Sequence, residues 1–133
     1  MLVEKDIKRL FQQLVQDDTV HIAVDGVDVL VRVFDHASKL FLSATVYTGG
    51  NFIPQSVRKT VGLHAPFMRD EQIKTYITVD DNHYLININY IGKMDCYSDS
   101  LRQLLEEFSW LAEQWRSYLD ERGKQDLIHI HVK

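Results

Sequence analysis

Between Val20 and Tyr47 the chain alternates so regularly that few folds can accommodate it. Val20, Ile22 and Val24 alternate with His21, Ala23 and Asp25, and Asp25-Gly26 then interrupts the run. Asp-Gly between alternating apolar segments marks a two-residue hairpin, because a type I′ turn needs positive φ at both central residues. A turn there sets Val24 opposite Val27, Ile22 opposite Val29 and Val20 opposite Val31. A second loop at Asp35 to Ser38 sets Val33 opposite Leu40, Val31 opposite Leu42, Val29 opposite Ala44 and Val27 opposite Val46. Two independent turns thus keep one face apolar across three strands. A slip of one residue at either turn would turn the whole apolar set to solvent, so the pattern specifies an antiparallel meander and its register. On its other face Leu30, Phe34, Phe41 and Tyr47 stand among His21, Asp28, Arg32, Lys39, Ser43 and Thr45. Either a further element covers these four, or they form a patch for a partner.

An apolar sheet face needs a cover, and two amphipathic segments provide it. From Ser98 to Arg122, Leu101, Leu104, Leu105, Phe108, Leu111, Ala112, Trp115, Tyr118 and Leu119 recur at steps of three and four and form one helical stripe. Ser98, Asp99 and Ser100 offer N-cap oxygens, Ser100 with Gln103 fits a capping box, and Gly123 suits the left-handed residue that ends a helix. Trp110 falls opposite the stripe, among Gln103, Glu106, Gln114 and Ser117. It is expected on the solvent side, as an incidental surface residue or as a contact with a client or second subunit. A shorter helix spans roughly Val3 to Gln16, with Val3, Ile7, Leu10, Phe11 and Leu14 on one face.

Between these segments, Gly49-Gly50 breaks the strand pattern. Pro54 then opens a brief helix carrying Val57 and Val61, which Gly62 closes. Leu63, Phe67 and Met68 follow. With Val57 and Val61 they form an apolar cluster that is expected at a dimer interface, or folded back into the core in the case of Phe67 and Met68. A second hairpin pairs Gln72–Val79 with Tyr84–Ile91 around Asp80-Asp81-Asn82-His83, setting Val79 opposite Tyr84 and Ile77 opposite Ile86. Residues 124–133 alternate again from Leu127 to Val132, which suggests an edge strand or an ordered tail. The expected fold is α+β in a single domain of residues 1–133: helix, three-stranded meander, short helix, two-stranded hairpin and long C-terminal helix on the sheet.

Chemistry is sparse. The chain has 133 residues and a formal net charge of −4, and its basic residues are dispersed. That argues against nucleic acid or an anionic membrane as a partner. The opening MLVEKDIKRL has no basic-then-apolar signal pattern and no apolar run could span a bilayer, so a cytoplasmic location is expected. Cys96 is the single cysteine and has no partner for an internal disulfide. Gly49-Gly50 lacks the residues of a phosphate loop. His129 and His131 would share one face of a strand, but two imidazoles without converging ligands do not make a metal site. No catalytic residue, metal or cofactor is assigned.

The order of elements, with the stretch IAVDGVDVLVRVFDHASKLFLSATVYTG as a central meander, resembles the class I chaperones of bacterial type III secretion from Val3 to Arg122. The resemblance implies a non-catalytic, dimeric protein, a homodimer or a heterodimer with a related chaperone. Such a protein holds the N-terminal region of a secreted effector or regulator in an extended state. On that reading Leu30, Arg32, Phe34, Phe41, Tyr47 and Trp110 bind the client, and Val57, Val61, Leu63, Phe67 and Met68 form the dimer interface. Two alternatives stay open: a structural dimerisation or regulatory module, and a small enzyme with a cavity between the long helix and the sheet.

Overall fold

A computed structural model describes residues 2–62, 73–94 and 98–132, with the backbone alone at position 98 and from 125 to 132. The elements are α1 (Glu4–Gln16), β1 (Thr19–Val24), β2 (Val27–Phe34), β3 (Lys39–Thr48), α2 (Gln55–Val61), β4 (Thr75–Asp80), β5 (Leu85–Lys93) and α3 (Ser98–Val132). The strands form one antiparallel sheet in the order β1-β2-β3-β5-β4. The α+β class and the element order agree with the sequence.

The meander has the register its turns demand. Val24 pairs with Val27, Ile22 with Val29 and Val20 with Val31, and on the next strand Val31 pairs with Leu42 and Val33 with Leu40. Asp25 and Gly26 both have positive φ, as a type I′ turn requires. The second turn is stranger, because Asp35, His36 and Ala37 are all left-handed, with φ of 54°, 57° and 61°. None of them is glycine, so each carries a steric cost. Ser38 caps the turn by donating its backbone N–H (3.2 Å) and its hydroxyl (2.6 Å) to the Asp35 carbonyl.

The β4–β5 hairpin departs from the expected pairing by two residues, with Ile77 opposite Ile88 and Val79 opposite Ile86. The cause is local: the Asp80 carboxylate accepts hydrogen bonds from the backbone N–H of Asn82 (3.0 Å) and His83 (3.3 Å), and Tyr84 is left-handed with φ 56°. Asp80 therefore closes the strand, and the turn shifts to follow it. A slip of two preserves the face, so the apolar set still points inward.

Helices cover the inner sheet face. α3 lies chiefly over β3 and buries Leu101, Leu105, Phe108, Leu111, Ala112, Trp115 and Leu119, while α1 adds Ile7, Leu10 and Leu14. These side chains form one core with Val27, Val29, Val31, Leu40, Leu42, Val46, Ile86 and Ile88. Leu2 is buried and Val3 exposed, the reverse of the expected α1 face at its start.

Gly123 does not end α3, which continues as helix to Val132 and so replaces the expected edge strand or tail. Its backbone is not left-handed, and what calls for glycine is proximity, since an added Cβ would lie 3.0 Å from the Tyr47 hydroxyl oxygen. His129 and His131 consequently lie two apart on a helix, where residues do not share a face.

Candidate interaction surface

Four of the candidate client residues, Leu30, Arg32, Phe34 and Phe41, lie on the outer sheet face. It carries Leu30, Arg32 and Phe34 from β2, Phe41, Ser43 and Thr45 from β3, Asn87, Asn89 and Ile91 from β5, and Tyr76 and Thr78 from β4. Leu30, Phe34 and Phe41 are half-buried and lie outside the core cluster. Ile91 is 51% exposed and Tyr76 42%. Among the described residues no helix lies over this face. Ile91 and Tyr76 extend the patch, and sequence reasoning missed both. Their signal was available in the same alternation that placed Ile86, Ile88 and Tyr90 inward.

Polar side chains tie the centre of this face together. Ser43 donates to Asn89 Oδ1 (2.9 Å), Asn89 Nδ2 donates to Thr78 Oγ1 (3.0 Å), and Thr45 donates to Asn87 Oδ1 (2.8 Å). Asn89 is 4% exposed and fully engaged by these bonds. Such a ladder links β3, β5 and β4 in the register that the core face also requires.

Tyr47 does not belong to the outer face. Between Thr45 and Tyr47 the strand advances two residues while β5 advances one, from Asn87 to Ile86. This bulge swings Tyr47 to the inner side, where it packs on the core and lies against Gly123 of α3. Alternation fails at a bulge, and nothing in Thr45-Val46-Tyr47 announces one.

Trp110 is 52% exposed on the outward side of α3, as its helical phase requires. It lies across the molecule from Phe34 and Phe41, separated from them by α3 and the sheet. The structure therefore joins Leu30, Arg32, Phe34 and Phe41 into one surface and leaves Trp110 apart.

The expected dimer cluster is also divided. Val57 is fully buried in the monomer core on the side of α2 that packs against α3, and Val61 is half-buried against the same core. Ser56 fixes this docking by donating to the Arg122 carbonyl at 3.2 Å, and Arg58 pairs with Asp81 in the β4–β5 turn. Val57 is thus a core residue and not an interface residue: a helix this short has a single apolar face, and α3 takes it. Leu63, Phe67, Met68 and Cys96 lie outside the described residues.

Nothing in the described part offers a catalytic constellation. The space between α3 and the sheet is filled by Leu105, Phe108, Leu111 and Trp115. Open clefts lie elsewhere. One of about 350 Å³ is bounded by Leu2, Asp6, Arg9, Leu10 and Gln13 of the α1 segment and by His21, Ile22 and Ala23 of β1. Another, of about 580 Å³, lies at the β2–β3 turn and is lined by Asp18, Thr19, Arg32 and Phe34 with Asp35 to Ala37. His83 Nδ1 sits 2.8 Å from Asp80 Oδ2, and this bond, with the backbone donors of the turn, holds the Asp80 carboxyl below its ordinary pKa. Among the described residues no cluster of histidine, cysteine and carboxylate side chains could hold a metal ion, and no helix is long and apolar enough to cross a membrane.

The sequence matches no protein-family model and no curated protein. Solved structures are informative. A chain of the ExsC–ExsE complex superposes with a TM-score of 0.60 over 89% of this chain and 96% of its own length, at 14% identity. A chain of the heterodimeric ExoU–SpcU complex from the type III secretion system of Pseudomonas aeruginosa gives 0.53 over 80% and 83%, at 13% identity. A chain of the HopA1–SchA chaperone–effector complex gives 0.55 over 84% and 88%, also at 13%. At such identities the likeness is one of architecture, and nearly the whole chain takes part in it. The chain therefore has the fold found in type III secretion chaperone–effector complexes, the class I chaperone-like fold.

Proposed function

We propose that this protein is a non-catalytic, cytoplasmic binding protein that holds a segment of a secreted effector or regulator, with Leu30, Arg32, Phe34 and Phe41 as the seat of that client. The observation that carries this reading is the apolar patch on the outer sheet face, which no described element covers. Soluble monomers rarely leave a contiguous apolar surface of this kind without a use for it. The fold adds support, because its structural neighbours include a chain of a chaperone–effector complex and a chain of a heterodimeric complex from a type III secretion system. Edge strand β1 lies next to the patch and offers unpaired backbone groups to an extended chain. Dimerisation with a second copy or a related chain belongs to the same proposal, with Leu63, Phe67 and Met68 as its contacts.

The test is capture of the client from the native cell by tagged protein, with mass spectrometry to identify it. Phe34→Asp and Phe41→Asp should each abolish capture while cooperative unfolding persists, because neither ring is part of the core. Loss of cooperative unfolding in either variant would make that residue structural and end the case for a docking surface.

A further inference from the structure

The outer face is not only apolar but electrically lopsided. At one end, Arg32, Lys39 and Lys93 surround Phe34, Phe41 and Ile91. Cross-strand pairing sets Arg32 beside Phe41, Phe34 beside Lys39, Lys39 beside Lys93, and Phe41 beside Ile91. All three cations are exposed. Lys39 reaches Asp35 at 3.8 Å across the turn, whereas Arg32 and Lys93 form no ion pair among the described residues. Of the anions nearby, Asp35 at this end is held by Lys39 and Asp18 lines the cleft with Arg32 and Phe34, while Asp28 and Asp80 stand at the opposite end, where His21 (3.3 Å) and His83 (2.8 Å) engage them. A chain of net charge −4 thus sets three cations around an aromatic patch that no described element covers. Lys39 and Lys93 are direct cross-strand neighbours, and like charges in that position repel. Sheet stability does not call for that arrangement; an anionic ligand would relieve it.

We infer that the client segment seated here is acidic as well as apolar: its hydrophobic side chains cover Phe34, Phe41 and Ile91, and its carboxylates meet Arg32, Lys39 and Lys93. This deepens the client-binding proposal and rests on it. Charge complementarity of this kind governs encounter rate and partner choice more than it adds raw affinity. Carboxylates are also well matched to Arg32, whose guanidinium can hold one in a bidentate pair.

Three labelled probes of equal length decide the matter by fluorescence anisotropy: a peptide of alternating Leu/Phe and Glu, the same peptide with Lys for Glu, and an oligothymidylate. The Glu peptide should bind about tenfold more tightly than the Lys peptide, and the difference should shrink as salt rises. Arg32→Glu with Lys93→Glu should reverse the preference, and Phe41→Asp should remove both peptides. Equal binding of the two peptides, both lost in Phe41→Asp, would overturn the charge inference and leave the docking surface standing. Peptide binding indifferent to Phe41→Asp would overturn the surface itself. Oligothymidylate binding that competes with the Glu peptide and outranks it would overturn the inference in favour of a nucleic-acid face.

Discussion

Substitution of Gly123 separates two accounts of the long helix that differ by about ten residues of structure. If Gly123 were the left-handed terminator its sequence context suggests, Gly123→Ala would cost about 1 kcal/mol in any background, since only glycine adopts that conformation freely. In the structure Gly123 is inside α3, and alanine there should gain about 1 kcal/mol of helix propensity. That gain meets an obstacle. The new Cβ would stand 3.0 Å from the Tyr47 hydroxyl oxygen, against 3.5 and 3.7 Å from the nearest ring carbons. The ring is held by the core, so the crowding should cancel most of the propensity gain. Removing the hydroxyl leaves only ordinary contacts. The expectation is therefore Gly123→Ala near neutral alone and stabilising by about 1 kcal/mol in a Tyr47→Phe background, a coupling well above the ~0.3–0.5 kcal/mol of additive sites. Urea unfolding of the four proteins in the cycle measures it, and the favourable step should raise Tm by roughly 3–4 °C. Additive behaviour, with Gly123→Ala destabilising in both backgrounds, would refute both the continuous helix and the Tyr47 contact.

Val57→Ala should destabilise the monomer by about 2 kcal/mol, because it empties a core site, and sedimentation should show the oligomeric state unchanged; a shift in that state without loss of stability would return Val57 to an interface. Ala37→Gly relieves a left-handed residue at the β2–β3 turn and should stabilise by about 0.5–1 kcal/mol net of the extra unfolded-state entropy, so a loss of stability in urea would contradict the positive φ. The Asp80 pKa is lowered on folding, chiefly by His83, so its contribution is present above the unfolded value and drains away as pH falls through the folded one. Asp80→Asn should accordingly flatten the stability profile below about pH 4, and an unchanged acid limb would count against the turn geometry. Trp110→Ala should leave folding stability within about 0.5 kcal/mol, as for surface sites, and weaken association with a partner or second subunit about tenfold; unaltered affinity would make the indole an incidental surface group.

What could be read in the sequence was what repetition enforces. The meander register followed from two turns that had to agree, and the apolar stripe of α3 followed from spacing. Trp110 was placed on the outward side by phase alone. The failures share a physical cause, since each depends on a single local contact that no period encodes. A bulge turned Tyr47 inward, and one carboxylate at Asp80 moved a hairpin by two residues. Gly123 looked like a stop signal because the same residue serves both left-handed caps and close packing, and only Tyr47, seventy-six positions earlier, distinguishes them. Val57 was assigned to an interface because a seven-residue helix does not reveal whether its apolar side meets another chain or its own α3. Nothing in Asp35-His36-Ala37 signals three left-handed residues in a row.

The position of α3 after all five strands has a consequence for how the protein is made. The meander is complete by Thr48, yet the helix that shields its valines and leucines begins only at Ser98. Ribosomes add roughly 5–20 residues per second, so the intervening stretch of roughly fifty residues leaves the part of that surface beyond the reach of α1 bare for some 3–10 s on every nascent chain. β3 must also wait for β5 before its second edge is paired. During synthesis the unfinished product therefore presents a greasy, open-edged sheet, and a ribosome that stalls before Ser98 would release an aggregation-prone fragment rather than a smaller working domain.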